Sequence, residues 1–201
     1  MKQNSFVHVN KNMAYVGSKA KKSDHILRIL NHPFFDGFDY VEPFVGYGHI
    51  LRRIKNKSSY HASDSNPLLI VLLKSIQRRA TIPTVTREEY ERLKNQTGDT
   101  LKRATAAFTY SYCGKQFSGY VDKYIRDGKK KSYAEERKRY YRSLQDNATF
   151  MKTHLSCIDY RKLKCANKLI YCDPPYSETT PYAGAKFDSN ICTSSRPFED
   201  N

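Results

Sequence analysis

LIYCDPPYSETTPY, residues 169–182, decides the reading of this chain. An apolar run, Leu169 to Cys172, stops at Asp173, and two prolines and Tyr176 follow at once. The run predicts a buried strand over Lys168–Cys172, with the tetrapeptide Asp173, Pro174, Pro175 and Tyr176 at its carboxyl end. Proline fixes φ and has no N–H to donate, but its carbonyl still accepts. A carboxylate and a nearby carbonyl therefore offer two acceptors with no backbone donor between them. An exocyclic amino group, with two N–H donors, satisfies that arrangement, and Tyr176 supplies a flat surface for a base to stack on. An amine held by two acceptors is drawn towards a tetrahedral nitrogen, and the acceptors stabilise positive charge that develops there. Cys172, next to the acid, reads as a packed strand residue.

Working outward, a second constellation lies at VEPFVGYGHI, residues 41–50. The pattern predicts a strand over Phe38–Phe44, a turn at Gly46 and Gly48, and a helix beginning at Ile50–Ile54. Glycines in such a turn allow positive φ and close approach of a ligand to the backbone. A second strand, Tyr60–Asp64, ends on an acid sixteen residues beyond Gly48. Helices are expected over Ser23–Leu30, with Ile26, Leu27, Ile29 and Leu30 inward, and over Asn66–Arg79, with Leu69, Leu72, Leu73 and Ile76 inward. Alternation of this kind predicts an α/β fold with a parallel sheet. Strand, glycine turn, helix, strand, acid is an order suited to a nucleoside, the acid accepting from ribose hydroxyls. No phosphate-loop lysine follows the glycines, which disfavours a nucleoside triphosphate. Upstream, Lys19 offers an ammonium to a ligand carboxylate, and Tyr15 a ring to pack on the ligand.

Between residues 81 and 150 the style changes. RDGKKKSYAEERKRYYRS is dense in Lys, Arg and Tyr, with little β-branched material. It predicts a helical or irregular basic lobe inserted into one core built from 1–80 and 151–201. Lys129, Lys130, Lys131, Arg137, Lys138, Arg139 and Arg142, interleaved with tyrosines, suit DNA phosphates. The whole chain of 201 residues has 35 Lys and Arg against 20 Asp and Glu, a net charge of +15, which draws it to polyanions. Five scattered cysteines without a Cys-x-x-Cys fit reduced thiols and give no support for a metal site. The longest apolar run, Leu68–Leu73, is too short to span a membrane. An intracellular, soluble, cytoplasmic protein is expected.

These segments resemble the D12-class, Dam-like α group of N6-adenine DNA methyltransferases. Those enzymes order a Tyr/Trp-x-Gly-Gly/Ser-Lys segment, a Glu-Pro-Phe-x-Gly-x-Gly turn, an acid on the second strand, a target-recognition insertion and Asp-Pro-Pro-Tyr. All five occur here in that order, and SYCGKQFSGY (111–120) resembles a further stretch of the family. The likeness covers about residues 13–188. It implies a Rossmann-like methyltransferase sheet, S-adenosylmethionine as cofactor and double-stranded DNA as partner. By motif, Tyr15, Lys19 and Asp64 correspond to cofactor contacts, while Glu42, Phe44, Gly46 and Gly48 shape the pocket. Asp173 faces both the target amine and the cofactor, and Tyr176 stacks on a flipped adenine. The tetrapeptide suits any exocyclic amine, so RNA, cytosine N4 and an inactive nucleic-acid-binding remnant stay open. A cytosine-C5 methylase is excluded, because no Pro-Cys dipeptide occurs. Only 25 residues follow Tyr176, and the resemblance then implies a sheet incomplete at its C-terminus, completed, if at all, by a second chain.

Overall fold

The computed structural model describes residues 7–8, 23–126, 128–164 and 166–174. Its centre is a four-stranded sheet of β2 (Asp39–Glu42), β3 (Ser59–Asp64), β6 (His154–Cys157) and β7 (Leu169–Ile170), in the order β6-β3-β2-β7. All three pairings are parallel. Of the three expected strands, the first forms with trimmed ends, the second forms and starts one residue earlier at Ser59, and the third is shortened. The run at Leu169 forms two strand residues, continued by the amide of Tyr171 donating to the Val41 carbonyl at 2.9 Å. It is also less buried than its composition predicts: among the described residues β7 is a sheet edge, Ile170 is 36% exposed, and Cys172 is exposed, not packed.

Two of the three helices predicted in the first zone form. In α1 (Ser23–Leu30), Leu27 and Leu30 are buried and Ile26 packs beside them, but Ile29 is turned out and 54% exposed. A one-sided stripe at 3.6 spacing admits 26, 27 and 30 and leaves 29 on its flank. In α2 (Pro67–Gln77), Leu69, Leu72, Leu73 and Ile76 all point into the core. Its start is set locally: Asn66 accepts from the Leu69 amide, and Pro67 occupies the first helical position, where no N–H is needed. The helix expected at Ile50 is only a 3-10 turn, Leu51–Arg53, which buries Leu51 and is followed by the buried Ile54.

The 81–150 stretch is more ordered than expected. It holds α3 (Arg87–Lys94), α4 (Leu101–Thr109), α5 (Tyr133–Gln145) and α6 (Ala148–Lys152). A capping box of Thr86 and Glu89 starts α3, and Ser132 caps α5 by accepting from the Glu135 amide. The stretch also contains sheet, which was not expected. Strands β4 (Lys123–Arg126) and β5 (Lys129–Ser132) form an antiparallel hairpin, and β1 (Val7–His8) pairs with β4 in parallel. Helices α4 and α5 pack on α2. Ala104, Ala107, Phe108, Tyr141 and Leu144 share one core with Tyr40, Tyr60 and Leu155 of the sheet. The tyrosines do much of this packing: Tyr40, Tyr47, Tyr90, Tyr124, Tyr133 and Tyr141 are almost fully buried. No helix among the described residues is long and apolar enough to cross a membrane.

Candidate functional site

Parallel pairing puts the ends of β2, β3 and β7 on one edge of the sheet. Glu42 closes β2 and leads into the glycine turn, Asp64 closes β3, and Asp173 lies three residues past Ile170 at the end of β7. The acidic turn and the glycine bend therefore share the carboxyl edge of adjacent strands, where open α/β sheets hold their ligands. Their proximity has an electrostatic signature, since Asp173 is among the groups that raise the pKa of Glu42.

The turn is tied down from two sides. The Val45 amide donates to the Ser63 carbonyl at 2.9 Å, and the Gly46 amide donates to Asp64 Oδ2 at 3.4 Å. Gly46 has φ +51°, a left-handed conformation that favours glycine, and a Cβ there would meet nothing within 4 Å. The space over the turn is open, and Asp64 stands beside it. The amide of Asn66 donates to Asp64 Oδ1 at 2.9 Å, and Ser65 adds a further backbone donor. Burial nevertheless outweighs these bonds and raises the carboxyl above its ordinary range. An ionised carboxylate has about four acceptor positions, so three backbone donors leave room for one more.

Glu42 is 2% exposed. Desolvation pushes its carboxyl up to about 8, with Asp173 adding to the rise. The Tyr40 hydroxyl, donating at 2.8 Å, and the Leu51 amide work in the other direction. Phe44 lies against Tyr160, ring centroids 5.1 Å apart, so an aromatic pair stands at the end of β2.

The remaining walls come from the 81–150 stretch. Tyr47, between the two glycines, donates to the Gly114 carbonyl at 3.1 Å, and Asn66 donates to Gln116 Oε1 at 2.6 Å. The SYCGKQFSGY segment thus borders both the turn and the acid. Helix α5 presses on the turn as well: the Tyr140 hydroxyl donates to the Tyr47 carbonyl at 2.8 Å and lies 3.3 Å from His49 Nδ1. Arg137 is turned inward. Its guanidinium lies 5.3 Å from the ring centre of Tyr47 and 5.2 Å from that of Tyr133, whose hydroxyl it also meets at 2.8 Å. A Cβ on Gly114 would come within 2.7 Å of Arg137 Nη2, so glycine there permits the close approach. Tyr133, Arg137, Tyr140 and Tyr141 follow helical spacing, the signal that could have separated this inner face from the outer charges.

The other basic residues face outward or lie at the surface. Lys129 and Lys130 are exposed on β5 and Lys131 is half-buried. On α5, Lys138 pairs with Glu135 at 3.4 Å, Arg139 with Glu136 at 3.7 Å, and Arg142 with Glu135 at 3.9 Å. Lys138 and Glu136 are half-buried, while Arg139 and Arg142 are exposed, and surface pairs of this kind contribute little to stability. Tyr15, Lys19, Pro175 and Tyr176 lie outside the described residues.

The comparison with known families follows this geometry. The chain resembles the D12 class. Residues 15–109 match the family model for D12 class N6 adenine-specific DNA methyltransferase. The matched region contains the glycine turn, Glu42, Phe44 and Asp64, and it ends before the basic segment and the Asp-Pro-Pro-Tyr tetrapeptide. It is narrower than the likeness read from the motifs, and it points to DNA adenine methylation. No curated protein matches the chain.

Proposed function

We propose that this D12-like chain transfers a methyl group from S-adenosylmethionine to the exocyclic N6 of adenine in DNA, on a Rossmann-like sheet. The observation that carries the reading is the convergence of Gly46, Asp64 and Asp173 on one sheet edge. The residues present fit an adenosine cofactor. The free acceptor position of Asp64 suits a ribose hydroxyl, the open space over Gly46 admits the ligand close to the backbone, and Phe44 offers an apolar contact. Tyr15 and Lys19 are assigned the same role by motif alone. When bound, the cofactor supplies an electrophilic methyl on a cationic sulfonium.

Each protein group then has a simple task. Asp173 and a neighbouring backbone carbonyl accept the two N–H bonds of the amine and orient its lone pair along the edge of the sheet. The same acceptors would stabilise the positive charge on nitrogen as the methyl–sulfur bond gives way to a methyl–nitrogen bond, with S-adenosylhomocysteine as the leaving group and one N–H proton then released to Asp173 or solvent. By motif alone, Pro174 and Pro175 are assigned to stiffening the segment and Tyr176 to stacking on the extruded base. DNA phosphates are met by Lys129, Lys130, Lys131, Lys138, Arg139 and Arg142. Arg137 supports the cofactor turn from within. The 81–150 stretch serves target recognition.

Incubation with S-adenosylmethionine carrying a labelled methyl group and duplex DNA tests the reading. Label is expected in N6-methyladenine, with incorporation lost in Asp173→Ala. Persistence of transfer in that variant, or label found only in cytosine, would overturn it.

A further inference from the structure

A parallel sheet is ordinarily apolar on both faces, because both are covered. One face of this sheet obeys: Tyr40, Tyr60, Ala62 and Leu155 lie in the core with α2. The opposite face does not. Val41, His61 and His154 occupy one row across β2, β3 and β6, and the next row brings Ser63 beside Ser156. The connection between β6 and β7 borders an open pocket of about 180 Å³ on this face, to which it contributes Leu163, Lys164 and Lys168.

The chemistry of the lining is one-sided. Ser63 is 2% exposed, and its hydroxyl has no hydrogen-bond partner among the described residues, although it lies against the cavity. A buried hydroxyl left unpaired costs free energy that a ligand oxygen would recover. The rings of His61 and His154 lie 5.7 Å apart, and both reach the cavity. His61 is held below its ordinary pKa by burial first and then by Lys168 and His154, with Asp39 opposing, and its Nε2 lies 3.1 Å from Ser59 Oγ. One nearby carboxylate, Asp39, is already engaged: it accepts from Ser59 at 2.5 Å and stands 3.6 Å from Lys168 Nζ. Two ammonium groups would repel a metal cation, and the hydroxyl and imidazole groups disfavour a purely apolar guest.

We propose that this cavity is a binding site for a phosphate-class oxyanion, separate from the methyl-transfer edge. Ser63 and Ser156 donate from the sheet, the imidazole of His154 donates from the same face with the ring of His61 beside it, and Lys164 and Lys168 supply the balancing charge. The site lies on the sheet face opposite α2 and does not depend on the reading of the glycine turn.

The test follows the ring resonances of His61 and His154 by nuclear magnetic resonance. Inorganic phosphate is titrated at constant ionic strength, with chloride as the control. Saturable shifts of both rings are expected in the wild-type chain. Ser63→Ala and Lys168→Gln should each weaken the binding about tenfold, the loss of one hydrogen bond to a charged group. Lys94→Gln, at the exposed end of α3, should leave it unchanged. A parallel titration with a nucleoside monophosphate separates the two sources of the ligand. Tighter binding there identifies a nucleotide phosphoryl group, and weaker binding a free ion. Shifts that fail to saturate, that chloride reproduces, or that survive both variants at full affinity would overturn the proposal.

Discussion

In Glu42→Gln a buried carboxyl becomes a neutral amide of nearly the same shape, and the pH dependence of stability should change with it. The carboxyl titrates near 8 in the folded chain against an ordinary 4.5, because burial and the field of Asp173 oppose its charge. Between those two values the native state keeps a proton that the unfolded state releases. Stability therefore falls as pH rises through the window, and the full cost is reached above the folded value. The gap from 4.5 to about 8 corresponds to a ceiling of about 5 kcal/mol, at about 1.36 kcal/mol per pH unit. That is a large share of the 5–15 kcal/mol, roughly, that holds a typical domain together. The amide keeps the Tyr40 hydrogen bond, since its carbonyl still accepts, and it has no charge to desolvate. Urea unfolding of both proteins at several pH values from 5 to 9 measures the effect. The variant should gain on the wild type steadily as pH rises, reaching several kcal/mol at pH 9. Parallel curves for the two proteins would show that Glu42 ionises as an ordinary acid and would refute the reasoning.

Four further outcomes follow from the same geometry. Tyr140→Phe deletes the bond to the Tyr47 carbonyl and should cost about 1 kcal/mol in unfolding free energy, with faster amide exchange in the 46–49 turn measured by hydrogen exchange. Gly114→Ala forces a methyl to 2.7 Å from Arg137 and 3.0 Å from the Tyr47 hydroxyl at φ +66°, so thermal unfolding should show a loss of about 2 kcal/mol or more. Replacing Lys129, Lys130 and Lys131 with Gln should reduce the slope of log affinity for duplex DNA against log salt by up to about 2.7, at about 0.9 per phosphate contact. His49, held down to about 4 by burial and by Arg52 and Arg137, binds a proton more readily when unfolded. Its contribution to stability is lost as pH falls from about 6.5 to about 4, so His49→Gln should flatten the acid limb of the unfolding curve.

The sequence was most legible where side-chain spacing alone decides the element. Aliphatic residues at 69, 72, 73 and 76 fix α2, and a strand that breaks at Gly46 and Gly48 fixes the turn. It was least legible where burial is carried by residues that also suit a surface. Helix α4 buries Ala104, Thr105, Ala106 and Ala107, and α5 buries Tyr133 and Tyr141 in place of aliphatics. The hairpin strand Lys129–Ser132 gives no β-propensity signal, because long cations on an exposed edge are compatible with pairing but do not announce it. Arg137 illustrates the same limit at the site. Within a run of like charges it is indistinguishable by type from Lys138 and Arg139, and only the helical period places it against Tyr47.

Calorimetric titration of S-adenosylmethionine into the wild-type chain and into Gly46→Ala tests the crevice most directly. Alanine at φ +51° meets no neighbour within 4 Å and costs about 1 kcal/mol, so the variant stays folded while its methyl fills the space beside Asp64. One saturable site in the wild type, weakened more than about tenfold in the variant, is the predicted result. No saturable heat in the wild type, or equal affinity in both proteins, would contradict the placement of the cofactor over the glycine bend.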